Sequence, residues 1–546
     1  MRLRPLKRAG SLTKWRIPAL LLLLAGLALL LPTFWHYADF DPAPLFHMVL
    51  LGRIISALCL VGILMWFFGL SGLSVRIRLT ALAVLVLAVG GFAASVADVQ
   101  VDGALRPIFR FRWQSLPAQT HAAFLNEQSD ASGLPEVDLT VDSIEHFPRY
   151  RGVQADGLFN PSELLDMRWD EKPPREVWRQ PCGGGFAGFA VAGNVLVTIE
   201  QRGDSEAVVC YDRGSGKQRW VHEYPAAFKH FTGNGPRATP SIADGEVYSL
   251  GACGDLVCLD GKTGRRKWHR NILDDAAAKC LRWGMTSSPL VVEDRVIVNA
   301  GVDPNNNAGR AVIAYRRRDG EVIWASGSER AGYSSPQLAN LCGVRQVLLF
   351  DVGGLAGFDL ATGQELWRHP WTTPEDMNII QPVVLERDRV FISSETSNGG
   401  AMLSVRRNKE GAFRVEVLWE NRNLCAKWAN PVRLGSTLYG LSNGTLVCVD
   451  VETGKRHWRG KSFGSGQLLG VAGSLIVQSE TGEVAVIAPD TRRYREVARI
   501  RALTDRTWNT PAVAGRYLYL RNDVEMVCYE MAVRPVGDTT KEQNKE

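Results

Sequence analysis

Five side chains suited to gripping a ligand recur at one spacing. Phe186, Arg237, Tyr333, Trp428 and Trp508 each stand three residues ahead of a landmark (Phe189, Pro240, Pro336, Pro431 and Pro511) where a short apolar strand is expected to begin. Small and polar residues follow one or two places later, among them Gln381, Asn430 and Asn509, and Trp283 lies three residues ahead of Thr286, the counterpart of Arg237. Aromatic faces stack on flat ligands, sugars or extended peptides, and a guanidinium grips a carboxylate with two N–H groups. If the strands converge, Phe186, Arg237, Trp283, Tyr333, Gln381, Trp428, Asn430, Trp508 and Asn509 form a candidate ligand-binding mouth. The competing role for the aromatic residues is to wedge neighbouring sheets apart. Other chemistry finds no motif: CxxC, CxxCH and HExxH are absent and the nine His are scattered, so neither metal nor haem is expected and no catalytic residue is assigned.

A repeat must position these residues. CYDRGSGKQRW (210–220), CLDGKTGRRKW (258–268), GFDLATGQELW (357–367) and CVDVETGKRHW (448–458) share a small residue, an acidic residue, a Gly-bearing turn and a closing Trp; AYRRRDGEVIW (314–324) is a degenerate copy. The repeat tryptophans Trp220, Trp268, Trp324, Trp367, Trp419 and Trp458 are 39 to 56 residues apart. Upstream of the turns run alternating apolar stretches such as STLYGLSNGTLVCVD (436–450), a period of two rather than 3.6. One supersecondary unit repeated at this length makes a solenoid or a propeller.

Alignment of the copies yields eight units. The eighth ends at NDVEMVCYEM (522–531) with no Trp strand after it, and PREVWRQP (174–181) is a Trp strand with nothing before it. Trp178 is therefore expected in the outer strand of the last blade, which closes the ring and removes the open edges. The repeat resembles the PQQ-type, quinoprotein-like β-propeller family over about 171–533, and FPRYRGVQADG (147–157) resembles a lead-in segment seen before such propellers. The resemblance implies an all-β, eight-bladed propeller. It leaves function open, because PQQ-dependent dehydrogenases, the outer-membrane barrel-assembly lipoprotein and many membrane-tethered propellers share the repeat.

The N-terminal third reads differently. Apolar segments at about 17–34, 54–73 and 79–97 are each long enough to span a bilayer. Arg2, Arg4, Lys7, Arg8, Lys14 and Arg16 precede the first, Asp39 and Asp41 lie between the first and second, Arg76 and Arg78 between the second and third, and Asp98 and Asp102 follow the third. This alternation predicts three transmembrane helices in the cytoplasmic membrane, with a basic tail (1–16) in the cytoplasm and everything after 97 outside it. Residues 98–170 read as an extracytoplasmic connector and 534–546 as a disordered polar tail. The net charge of +6 is partly the N-terminal cluster, and no nucleic-acid motif is present.

Of the ten cysteines, Cys210, Cys258, Cys448 and Cys528 occupy one register position, where other copies carry Ala314 and Gly357. A small buried strand residue explains all four. Cys182, Cys253, Cys280, Cys342 and Cys425 are left with their disulfide state open. Three functions are carried forward: a non-catalytic module binding a protein or envelope component, a carbohydrate receptor, and a quinoprotein dehydrogenase. The resemblance implies adjacent cysteines and a Glu, Asn and Asp calcium set for the last. This chain has no Cys-Cys pair, so PQQ and calcium are possible but unsupported by motifs.

Overall fold

Alternating apolar residues become strands because period two puts one face of each on a core. The computed structural model describes residues 16–37, 45–69, 71, 73–103, 106–115, 117–127, 134–141, 144–306, 309–394 and 398–534. Eight antiparallel sheets form the propeller, and their inner strands are Ala190–Ala192, Ser241–Ala243, Leu290–Val292, Gln337–Leu341, Val383–Leu385, Val432–Leu434, Gln467–Val471 and Ala512–Ala514, here blades 1 to 8. Blade 7 gains a fifth strand, Leu158–Phe159, parallel to Gly470 and Val471. The outer strand of blade 8 is Arg175–Pro181, with Trp178 opposite Cys528, so the ring closes where the sequence places it. The core lies between blades. Tyr248, Leu250 and Leu256 of blade 2, for example, pack against Val291, Val296 and Ile313 of blade 3.

The repeat residues cooperate in one joint. Each small residue faces the Trp of its own blade: Cys210 faces Trp220, Cys258 Trp268, Gly357 Trp367 and Cys448 Trp458. A Cβ on Gly357 would meet Trp367 Nε1 at 2.4 Å, which shows why nothing large fits there. The indole then reaches the next blade. Trp220 Nε1 donates to Gly261 O (2.8 Å), Trp419 Nε1 to Val451 O (2.9 Å) and Trp178 Nε1 to Arg213 O (3.0 Å). The acidic residue shapes the receiving turn: Asp260 Oδ1 accepts from Thr263 N (2.9 Å) and Oγ1 (2.7 Å), as Asp450 does from Thr453. The turn glycine touches the ring. Gly264 has φ 70°, and a Cβ there would stand 2.6 Å from Trp220 Cε3.

The chain divides into two compact units, 1–99 with 107–114 and 100–106 with 115–546. In the first, helices span Arg16–Tyr37, Leu45–Gly69 and Val75–Ser95. Two apolar stretches, Leu51–Gly69 and Val75–Ser95, are long and apolar enough to cross a membrane, each with mean hydropathy 2.1; the first helix carries the shorter stretch Pro18–Leu30. Ser56 Oγ donates to Ala25 O (3.2 Å) where the first two helices meet. Arg76 and Arg78, expected between the second and third segments, lie in the first turn of the third helix. Arg78 folds back to donate to Phe68 O (2.6 Å), a carbonyl in the last turn of the preceding helix, and to Leu73 O (2.9 Å) in the linker. RPIFRFRW contributes the strand Pro107–Phe111. The compact unit holding the propeller reaches back over 115–170, beyond the expected boundary at 171. Most of the basic tail, Asp39, Asp41 and the polar tail beyond 534 lie outside the described residues.

Deleting 171–181 removes the strand that closes blade 8 and should lower the melting temperature of the whole propeller. A chain lacking it that melts like the intact protein would show that closure lies elsewhere. Gly264→Ala forces a side chain into the left-handed region against an indole and should cost about 1–3 kcal/mol in denaturant unfolding.

Candidate functional site

The residues just ahead of each inner strand meet around the channel and bond blade to blade. Gly188 N donates to Thr239 Oγ1 (3.0 Å), Thr239 N to Ser288 Oγ (2.9 Å), and Ser288 N to Ser335 Oγ (2.8 Å). Gln381 N donates to Asn430 Oδ1 (2.6 Å) and Gln381 Nε2 to Ser335 O (3.4 Å). Asn509 Nδ2 donates to Gly185 O (3.1 Å) and Ala187 O (2.8 Å), joining blade 8 to blade 1. Three expected ligand contacts, Gln381, Asn430 and Asn509, are thus buried members of this girdle. Gln381 Oε1 and Asn509 Oδ1 remain without a protein partner.

The lead-in segment closes the other end. Phe147 pairs with Val191 of blade 1, Ile242 N of blade 2 donates to Pro148 O (2.8 Å), and Arg149 Nη1 donates to Val291 O of blade 3 (3.1 Å). Arg151 Nη2 donates to Pro431 O (3.0 Å) at blade 6, and Gly470 N of blade 7 to Gly157 O (2.9 Å). Tyr150 enters the channel from this side, its hydroxyl accepting from Asn430 Nδ2 (2.6 Å).

The mouth above the girdle separates into clusters. Phe186 and Trp508 have ring centroids 5.2 Å apart, with Arg237 over Phe186 (5.3 Å) and Phe228 (4.7 Å). Arg237 is not held out for a carboxylate, because its Nη2 donates to Gly233 O (2.8 Å) and its Nη1 to Gly235 O. Burial, then the nearby Arg506, lowers its guanidinium to about 10. Arg506 lies 4.3 Å from the Trp508 ring and 5.2 Å from Phe186, and donates to Gln100 Oε1 (3.1 Å) and Val101 O. Trp508 Nε1 donates to Glu480 Oε1 (2.8 Å). Trp283 meets Tyr333 edge-on at 5.6 Å, and Tyr333 is only 9% exposed. Of the aromatic residues at the register position, Trp428 is the exposed one, at 40%, with Lys427 Nζ 5.2 Å from its ring; Phe231, beside His230, is exposed outside that register. One register position therefore supplies three wedged aromatic residues (Phe186, Tyr333 and Trp508) and one presented to solvent.

Sequence spacing missed Arg506, Phe228, Glu480 and Glu206. None falls on the three positions just ahead of an inner strand, and Glu206, four residues before Cys210, stands where the copies with Cys258 and Cys448 carry Gly254 and Gly444. Glu206 is fully buried, and accepts from Ala252 N (2.9 Å) and Tyr224 Oη (2.9 Å). Burial raises its carboxyl to about 7.

The family described as outer membrane protein assembly factor BamB matches residues 168–282 and 232–460, overlapping stretches that together span more than half of the chain. The chain belongs to the BamB family. The outer membrane protein assembly factor BamB of Shewanella oneidensis is 22% identical over 293 residues, covering 52% of this chain and 71% of that protein. The quinoprotein ethanol dehydrogenase of Pseudomonas putida is 26% identical over 197 residues, 31% of this chain and 30% of the dehydrogenase. The solved quinohemoprotein alcohol dehydrogenase of Comamonas testosteroni superposes with a TM-score of 0.52 at 12% identity, over 77% of this chain and 85% of that one, a likeness of fold. The PQQ-type repeat read from the sequence is thus that of the BamB family and its quinoprotein relatives.

No disulfide joins any of the ten cysteines, nine of which lie in this BamB-family propeller. Burial pushes the Cys258 and Cys528 thiols up to about 12, as expected of small core residues. Among the described residues no group of three or more His, Cys, Asp or Glu could hold a metal ion.

Glu206 makes stability pH-dependent. Its folded value lies above the model-peptide 4.5, so the folded state holds a proton that the unfolded state releases between about pH 4.5 and 7. Stability from this group is present below 4.5 and lost as pH rises through 7. Glu206→Gln should flatten that decline, gaining on the order of 1–3 kcal/mol over wild type at pH 8 and little at pH 4.5. Parallel denaturant curves at the two pH values check it; an equal difference at both would exclude the carboxyl as the source.

Proposed function

We propose that this protein is a non-catalytic binding module: a propeller held at the cytoplasmic membrane by three N-terminal helices, its ring outside the cytoplasm, which docks a protein of the cell envelope. The observation that carries the reading is BamB-family membership together with a mouth built for contact rather than chemistry. An exposed tryptophan stands on a rim whose arginines are already bonded to carbonyls. The relative from Shewanella is named an outer membrane protein assembly factor, which favours polypeptide as the bound material. An indole fixed on a rigid rim is a suitable anchor, since it offers a large contact area at little entropic cost. Residues 75–95 support the membrane anchor, because no side chain of that helix is buried.

A carbohydrate receptor is the second reading, favoured by the stacking face of Trp428. A quinoprotein dehydrogenase is the third. The girdle does not offer the donor set that calcium and PQQ require: the Asn430 amide is taken up by Gln381 and Tyr150, and the Asn509 amide donates to Gly185 and Ala187. Calcium needs six to eight oxygen ligands, usually several of them carboxylates. No redox step is therefore assigned to these residues.

Full-length protein in nanodiscs should bind an outer-membrane β-barrel polypeptide diluted from urea. Trp428→Ala should weaken that binding by about 1–3 kcal/mol while leaving the melting temperature unchanged. Saturable binding of an oligosaccharide instead, lost in the same variant, would move the assignment to the receptor. PQQ- and calcium-dependent dye reduction above a heat-inactivated control would overturn the non-catalytic reading.

Topology has its own check. Reporter fusions after Ser71 and after Gln100 should report cytoplasm and exterior respectively, because one span separates them. A single compartment for both would remove the three-span arrangement.

A further inference from the structure

The ends of the strands away from the mouth carry a second feature, on blade 5. An open cavity of about 930 Å³ lies among the turn that follows its inner strand, the end of its third strand, Gly400–Arg407, and the neighbouring turn of blade 4. Five of its lining side chains are cationic: Arg387, Arg389, Arg406, Arg407 and Lys409.

Their pairing is uneven. Arg389 is buried and satisfied by Glu452 at 2.7 Å. Of the two acidic lining residues, Glu452 is the one taken by Arg389, and Asp388 is drawn into the frame, its Oδ1 accepting from Cys342 N (2.6 Å). Arg406 meets Glu416 at 3.1 Å, but both side chains are mostly exposed, so the pair is weak and exchangeable. Arg407 donates Nε to Gly411 O (3.2 Å), and its Cζ lies 5.5 Å from the centre of the Phe413 ring. Among the described residues, Arg387, Arg407 and Lys409 have no carboxylate partner. Like charges kept together on one groove repel one another, and an anion would relieve that repulsion.

The backbone adds an independent sign. The turns after the inner strands of blades 2, 4 and 7 pair a left-handed residue with glycine: Asp244–Gly245, Cys342–Gly343 and Ala472–Gly473. Blade 5 instead puts Arg387 (φ 60°) and Asp388 (φ 55°) in the left-handed region, with no glycine. Two non-glycine residues at these positions are strained, and such strain collects where side chains must be aimed. Here it delivers Arg387 to the cavity and Asp388 to the frame.

We propose that this groove binds a phosphoryl group. A dianion matches several uncompensated cations, and guanidinium forks suit its tetrahedral oxygens. The cavity is far larger than phosphate, and Val405 and Leu418 line it beside the cations, with Leu418 exposed. The group is therefore carried by a larger molecule with an apolar portion. Phosphoryl groups reach such a site as a lipid headgroup or as a free phosphate, and the test distinguishes the two. Full-length protein in nanodiscs of neutral lipid is titrated with inorganic phosphate and with pyrophosphate, and separately assembled in nanodiscs or mixed with vesicles containing phosphatidic acid.

Wild type should bind in at least one arm. Arg407→Gln with Lys409→Gln, both exposed, should weaken it at least tenfold with an unchanged melting temperature, and Lys217→Gln on blade 1 should have no effect. Binding of phosphate or pyrophosphate assigns a free ligand; binding only to phosphatidic acid surfaces assigns a lipid. Equal behaviour of wild type and the double variant in every arm overturns the proposal. So does an acidic peptide that binds as tightly as the phosphoryl probes at the same ionic strength.

Discussion

The tryptophan of one blade seated under the turn of the next is the joint on which this molecule depends. A propeller blade buries its faces against its neighbours and cannot stand alone. The indole supplies both parts of the contact, a large apolar face and one N–H that must find an acceptor when buried. Each residue type in the repeat serves that seat. The small residue clears space for the ring, the acidic residue and its Ser or Thr partner hold the turn, and the turn glycine allows contact with the indole. Blade 4 departs from the pattern at a telling place. Trp367 Nε1 donates to Gln346 of its own blade (2.6 Å), because blade 5, next in the ring, lacks the repeat turn.

The channel is organised by a second, polar layer. Hydroxyls and amides of successive blades accept from each other's backbone N–H groups and make a girdle. The lead-in segment bonds to the inner strands of several blades at the opposite end. Buried backbone donors must be satisfied, and the two layers do this without a wide bore. The mouth lies above the girdle. Its aromatic residues divide by packing: Phe186, Tyr333 and Trp508 lean on neighbours, and Trp428 does not.

That division separates the two roles that the register left open for the aromatic ring. An arginine between aromatic faces with its N–H groups on carbonyls braces a loop. Trp428 is 40% exposed and, among the described residues, has Lys427 rather than another ring against it. Asn430 and the Asn509 Nδ2 group are buried and bonded within the girdle, while Asn509 Oδ1 is left without a protein partner.

The eight blades, the register of Cys210, Cys258, Cys448 and Cys528, and the closure through Trp178 were all legible in the sequence. These follow from local periodicity and from the need to leave no open edge. The sequence also showed 147–157 as resembling a lead-in segment but left it in the connector, and gave no sign that Tyr150 would enter the channel. The tertiary structure decided which members of one register position face solvent. Arg237 and Trp428 are equivalent in sequence, yet one is bridged to Gly233 and Gly235 and the other stands open, because burial depends on the loops opposite and not on spacing. Arg387, Arg407 and Lys409 lie far enough apart in the chain to look like scattered surface charge. Antiparallel pairing within blade 5, where Val405 N donates to Asp388 O (2.8 Å), brings Arg387 beside the other two, and a groove made by contacts between separate segments has no periodicity to betray it.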